Sequence, residues 1–205
     1  MRPHSLTPAE RLIGLFTFAY VAGFTLWFLA IGNYEFIVYV LTMLGLIALV
    51  GLSLRRAEYP PAMLAALSLW GLMHMAGGGV PMNGSVLYNL HLIPIIETPD
   101  YFILKYDQVV HAYGFGVTAW LLQHLLLRHF PETRGTATAF AYPLFAAAGL
   151  GALNEMIEFT AVLMVPDTNV GGYYNTALDL VFNFVGALIA LLILSISHLL
   201  RPQKR

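Results

Sequence analysis

Apolar positions along the chain come in long runs separated by short polar breaks. The runs are Leu12–Ile31, Phe36–Leu54, Ala62–Val80, Gln108–Leu127, a longer one from about Thr136 to Val165, and Ala177–Leu199. A helix needs about 20 apolar residues to cross a bilayer, so each run predicts one transmembrane helix. The breaks carry stop and start signals. Asn33-Tyr34-Glu35 predicts a tight turn, Arg55-Arg56 to Pro60-Pro61 a polar stop and a new helix start, Arg128 to Gly135 a charged hairpin, and Pro166 to Tyr174 a Gly- and Asn-rich turn. Before the first run, Thr7-Pro8-Ala9-Glu10 predicts a capping box with proline in the first turn. That first run is too long for a signal peptide and has no small-residue cleavage site after it.

Composition narrows the class. Of 205 residues, 59% are hydrophobic and 10% are charged, against about 25% charged in soluble domains. The chain has no cysteine, which excludes thiol chemistry, cysteine zinc sites and iron–sulfur clusters. A net charge of −1 argues against nucleic acid as a partner.

The few charges have an order. Arg2 and Arg11 precede the first run; Arg55 and Arg56 lie between the second and third; Arg128 and Arg134 lie between the fourth and fifth; Arg201, Lys204 and Arg205 follow the last. Only Lys105 lies on the other side. The positive-inside rule then places both termini in the cytoplasm. The predicted fold is an all-α polytopic membrane bundle of six helices, one integral membrane domain over 1–205.

One connection does not read as a plain loop. Pro81 to Tyr106 contains Val86-Leu87-Tyr88, Leu90 and Leu92-Ile93-Pro94-Ile95-Ile96. Such a segment lies in the interface, re-enters the membrane, or forms a helix packed on the outer surface.

Ionisable residues inside spans are costly, about 2.5 to 3.5 kcal/mol at a helix centre, so their positions point to function. Asp107 and His111 are an i, i+4 pair, Glu155 and Glu158 an i, i+3 pair, and Asp179 and Asn183 an i, i+4 pair; each pair shares one helix face. His74 precedes Gly77-Gly78-Gly79 in the third run. Given the orientation, spans four and six begin on the outer side. Spans three and five end there, with Glu158, Glu155 and His74 roughly 10 to 15 Å below those ends. All these groups therefore fall in one outer depth band. Gly114, Gly186 and Gly151 lie on or near the same faces and let helices approach closely.

Three readings fit this cluster. One is a hydrogen-bond network locking helices together. The second is a divalent metal site for Zn, Mn, Fe or Mg, with Asp107, His111, Glu155, Glu158, Asp179 and Asn183 as candidate ligands and His74 as an additional one. The third is a proton or cation relay. His124, His129 and His198 sit at cytoplasmic helix ends and suit snorkelling. His91, in the apolar outer connection, suits an interface, with reach into the site as the alternative. Trp27, Trp70 and Trp120 suit packing or the membrane interface. The Gly77 triplet lacks the Lys-Ser/Thr of a phosphate loop.

The ordered set Asp107-x-x-x-His111, Glu155-x-x-Glu158 and Asp179-x-x-x-Asn183-x-x-Gly186-Ala187 resembles the VanZ-like superfamily of small bacterial membrane proteins. Within it, the chain is most similar to the uncharacterised inner-membrane proteins of the YjdF type. The resemblance covers Tyr106 to Ala190. It rests on Tyr106-Asp107 to His111 with Gly114-Phe115-Gly116, on Asn154-Glu155-Met156-Ile157-Glu158-Phe159, and on Asn175-Thr176-Ala177-Leu178-Asp179-Leu180. In the last block Asn175 stands where the pattern has an Asp, after Gly171-Gly172-Tyr173-Tyr174.

The resulting expectation is a membrane enzyme, metal-dependent, acting on a lipid or envelope precursor. Glu155 or Glu158 would be base or ligand, and His111 ligand or acid–base partner. The alternatives are a proton- or cation-coupled transporter or channel, and a non-catalytic envelope protein that binds a lipid or an antibiotic. Polar groups crowd the later spans while the first two are nearly uniformly apolar. That asymmetry disfavours the inverted repeats of a transporter.

Overall fold

A computed structural model of the protein describes residues 6–164 and 172–199. Arg2, Arg201, Lys204 and Arg205, Val165 and the turn residues 166–171, and the side chain of His198 lie outside the described residues. The chain is mostly helical and falls into two compact units, divided between Tyr88 and Asn89.

The first unit holds α1 (Pro8–Ile31), α2 (Tyr34–Ala57) and α3 (Pro61–Gly79). The capping box forms as the sequence predicts. Thr7 N donates to Glu10 Oε2 at 2.6 Å, and Glu10 N donates to Thr7 Oγ1 at 3.2 Å. Gly32 ends α1 in the left-handed region, and the Asn33 side chain accepts from Phe36 N to cap α2. The turn is thus Gly32-Asn33, and Tyr34 and Glu35 already belong to α2. Leu12, Leu15 and Leu52 stand exposed, as helix faces turned to lipid would. Polar bonds join α1 to α3: Thr17 with Ser68 at 2.7 Å, the Tyr20 hydroxyl to Ser68 O at 3.0 Å, and Trp27 Nε1 to Gly79 O at 2.8 Å. The glycine triplet seats aromatic rings. A Cβ at Gly77 or Gly78 would overlap the rings of Tyr88 or Phe36. A short hairpin, β1 (Pro81–Met82) and β2 (Ser85–Val86), follows, turning through Asn83 and Gly84 at positive φ.

The second unit holds the hairpin β3 (His91–Glu97) and β4 (Phe102–Lys105), then α4 (Tyr106–His129), α5 (Thr138–Met164) and α6 (Tyr173–Leu199). The connection from Pro81 to Tyr106 is therefore built of hairpins. A packed surface helix, one of its three expected forms, is not formed there. The run His91 to Glu97 is rich in Ile and interrupted by Pro94, which suits an edge strand and breaks a helix.

Helix α4 packs against both α5 and α6, and α5 packs on α6. Small residues make the contact. Ala119, Ala147 and Ala187 are fully buried beside Leu144 and Leu191. A Cβ at Gly186 would overlap the Ala112 carbonyl, so α4 and α6 touch backbone to backbone. Pro143, buried within α5, cannot donate to the carbonyl of Ala139 one turn earlier. Gln123 of α4 supplies the missing donor: its Nε2 reaches Ala139 O at 3.1 Å.

Six α-helices occupy the described residues, at the positions the apolar runs predict. Five of them, α1, α2, α3, α5 and α6, are long and apolar enough to cross a membrane. The exception is α4. At 24 residues it is long enough, but it carries Asp107, Gln108, His111 and Gln123, all buried between its neighbours. Its polar load lies against protein, and that lowers its hydropathy.

Candidate functional site

Three helix ends converge in the second unit. Asp107 and His111 lie in the first two turns of α4, Glu155 and Glu158 toward the end of α5, and Asp179 and Asn183 in the early turns of α6. All six are buried, and Asp179 and Asn183 are each only 1% exposed. The i, i+3 and i, i+4 spacings put each pair on the inward face of its helix, as the sequence predicts. Two glycines permit the approach. Gly186 lets α6 reach the α4 backbone, and a Cβ at Gly151 would come within 2.9 Å of Asn183 Nδ2. Gly116, which the sequence offers only within the Gly114-Phe115-Gly116 block, also meets α6: a Cβ there would lie 3.1 Å from Gly186 O.

His111 is the centre of the cluster. Its Nδ1 donates to Asn183 Oδ1 at 2.9 Å, which makes Nε2 the nitrogen open to a metal when the ring is neutral. Around Nε2 stand three carboxylate oxygens from three helices: Asp107 Oδ1 at 3.5 Å, Glu158 Oε1 at 4.0 Å and Asp179 Oδ1 at 4.0 Å. Glu155 lies on the other side of the ring, with Oε1 3.9 Å from Nδ1.

Two asparagines orient this set. Asn154 Nδ2 donates to Glu158 Oε1 at 2.9 Å, and Asn175 Nδ2 donates to Asp179 Oδ2 at 2.6 Å. Each sits one turn before the acid it holds. The second bond occupies Oδ2 of Asp179 and leaves Oδ1 facing the imidazole. Asn175, which departs from the acidic pattern, thus acts as a donor where an Asp would add repulsion.

Both oxygens of Glu155, Oδ1 of Asp179 and Nδ2 of Asn183 are buried with no hydrogen-bond partner among the described residues. Burying such atoms unpaired is costly, and an ion or water that satisfies them removes the cost. The spacing suits an ion. Ligand atoms about 2.1 Å from a metal stand about 3.0 to 3.4 Å apart in tetrahedral or octahedral geometry. The distances from Nε2, 3.5 to 4.0 Å, exceed that by about 0.1 to 1.0 Å, so binding an ion would draw the side chains inward. Two triplets, Asp107–His111–Asp179 and His111–Glu155–Glu158, each have ligand atoms within 4.8 Å of one another.

His74 is in neither triplet. In the first unit it bonds the Tyr88 hydroxyl through Nδ1, and its ring meets those of Phe36, Tyr39 and Tyr88. His91 is in β3, stacked on Phe102 with ring centroids 3.8 Å apart. The His129 ring bonds Leu125 O, as a residue closing its helix would. Sequence reasoning passed over Asn154 and Gln108. The signal for Asn154 was its i, i+4 spacing from Glu158. Gln108 has no such signal, because its partners are backbone groups: its Oε1 accepts from Leu104 N and Lys105 N, and its Nε2 donates to Phe102 O.

No curated protein and no solved structure matches the chain. Residues 12–199 match one family, described as "Predicted membrane protein (DUF2238)". That match takes in five helices whole and all but the first turn of α1, together with every residue of the buried cluster. The chain is a multi-pass membrane protein and belongs to the DUF2238 family.

Proposed function

We propose that this protein is a metal-dependent membrane enzyme whose centre is the buried cluster around His111, acting on a lipid or envelope precursor. One observation carries the reading: the His111 Nε2 has three carboxylate oxygens within 4.0 Å, drawn from three helices. His111, Asp107 and Asp179, one of the two close triplets, would hold the ion with Glu158 beside them, and Asn183, Asn154 and Asn175 would orient these side chains. One nitrogen with carboxylate oxygens favours zinc, manganese or iron over magnesium. A bound ion would supply Lewis acidity and a water of lowered pKa. Glu155, outside the Nε2 set and with both oxygens free of donors, is placed to take that water's proton.

In this reading α4 is the sixth span, shielded by α5 and α6, and the chain acts as one integral membrane domain with both termini cytoplasmic in a bacterial inner membrane. The kinship with VanZ-like proteins of the YjdF type belongs to the same proposal, on the strength of the three ordered blocks.

The test is metal analysis of protein purified without chelator. Near-stoichiometric metal, lost in His111→Ala and in Asp179→Asn, is expected. Metal-free protein that binds none on titration would overturn the reading. The second reading, a proton or cation relay, is favoured by the run of buried acids about one imidazole. It predicts flux in liposomes that Glu155→Gln abolishes; flux no greater than in empty vesicles counts against it.

A further inference from the structure

Just before the site, the chain carries two basic groups that the proposed chemistry does not use. Lys105 ends β4, two residues ahead of Asp107, and His91 begins β3 directly opposite it in the hairpin register. The His91 ring stacks on Phe102, three residues before Lys105, at an irregular point of the hairpin. Lys105 makes no salt bridge or side-chain hydrogen bond among the described residues, yet its charge acts on both Asp107 and Asp179. His91 is exposed, and its ring nitrogens have no partner among the described residues.

The backbone is shaped to hold this pair. Leu104 has φ 87°, a left-handed conformation that a leucine rarely adopts. The Gln108 side chain fixes it, accepting from Leu104 N at 2.6 Å and from Lys105 N at 3.1 Å. Strain retained next to a candidate site is a mark of positioning.

The rest of the hairpin has a different chemistry. Leu92, Ile93, Ile95 and Ile96 of β3 are all exposed, with Ile93 and Ile95 each at 61%. Pro94 in the same strand removes a ladder donor, which discourages pairing with a second copy. At the far end of the hairpin, Tyr101 meets Tyr174 of α6 at 5.1 Å between centroids, with Tyr173 beside it. Tyrosines grouped at a helix start mark the headgroup level of a bilayer.

From this juxtaposition we infer that Lys105 and His91, at the start of α4, bind the phosphate of a lipid headgroup next to the cation in the acid cluster, while the apolar side chains of β3 rest at the membrane interface. The inference rests on the metal reading, because four buried acids without an ion would repel a phosphate. It adds the substrate class: a phosphorylated lipid with its phosphate at the interface.

The test is displacement of a fluorescent phosphatidic acid from the purified full-length protein in neutral detergent. The competitors are unlabelled phosphatidic acid, diacylglycerol (same chains, no phosphate) and inorganic phosphate. Phosphatidic acid is expected to compete well, diacylglycerol poorly, and inorganic phosphate only at much higher concentration. Lys105→Ala is expected to weaken binding about tenfold, as loss of one charged hydrogen bond would, and Lys105→Arg to restore most of it. Equal competition by diacylglycerol, or binding unchanged in Lys105→Ala, overturns the inference. Inorganic phosphate competing as well as the lipid overturns the lipid assignment in favour of a soluble phosphate. Metal-loaded protein that ignores the headgroup removes this inference and leaves the metal reading standing. Lys105-dependent binding by protein that takes up no metal overturns the metal reading and, with it, the cation's part in holding the phosphate.

Discussion

The bond between Asn183 and His111 engages Nδ1 and turns Nε2 toward the carboxylates, so it is the most informative single contact to break. Asn183→Leu should leave the ring free to rotate and lower metal affinity by about 10- to 100-fold, as loss of an orienting partner does elsewhere. Asn183→Asp, which retains an acceptor, should stay closer to the parent; titration of stripped protein with zinc or manganese measures both. Asn175→Ala belongs to the same test. It frees Oδ2 of Asp179 and should weaken binding by a similar factor. At this scale much of the site was legible in the sequence. Asp107, His111, Glu155, Glu158, Asp179 and Asn183 were each found because ionisable and amide groups are rare in apolar runs and because i, i+4 spacing fixes a shared face. The ring's orientation was not legible, since it depends on α6 meeting α4. His74 has the same residue-level signal, but its bond is with Tyr88.

Among the elements, α4 and the hairpin before it were the hardest to read. The apolar character of residues 81–106 is plain, yet short apolar stretches broken by Pro81 and Pro94 carry no period that separates strand from helix. What holds the hairpin to α4 is Gln108, through three hydrogen bonds to backbone groups of β4 and the α4 start. Gln108→Ala should therefore loosen residues 102–105. Losing buried bonds of this kind costs about 1 to 3 kcal/mol. The expected readout is faster amide exchange confined to the hairpin, with the helices unchanged. The α4–α6 crossing is less forgiving. Gly186→Val would push a side chain into the Ala112 backbone, and overpacking costs about 1 to 3 kcal/mol even where neighbours yield. A lowered melting temperature in detergent and loss of the metal together are the expected result. Loss of neither would show that the crossing tolerates separation.

For the whole molecule, the helix positions follow the apolar runs closely, because hydrocarbon demands both length and internal hydrogen bonding. Orientation can be tested directly because the chain has no cysteine to remove. Single substitutions Asp100→Cys and Glu132→Cys flank α4 and should react with an impermeant maleimide from opposite sides of the membrane. Labelling of both from one side would show that α4 does not cross. Hydropathy ranks α4 lowest because it scores composition without knowing which neighbours cover it. One consequence reaches beyond this chain. The Gln123 amide serves Ala139 O only because Pro143 cannot. The two positions thus share a single debt, contracted on one helix and settled on another. In a relative with alanine at position 143, the α5 backbone would serve itself, and an apolar residue at 123 would become neutral. Proline at 143 and a donor at 123 should therefore be inherited together, leaving a trace of the α4–α5 contact that family sequences alone can reveal.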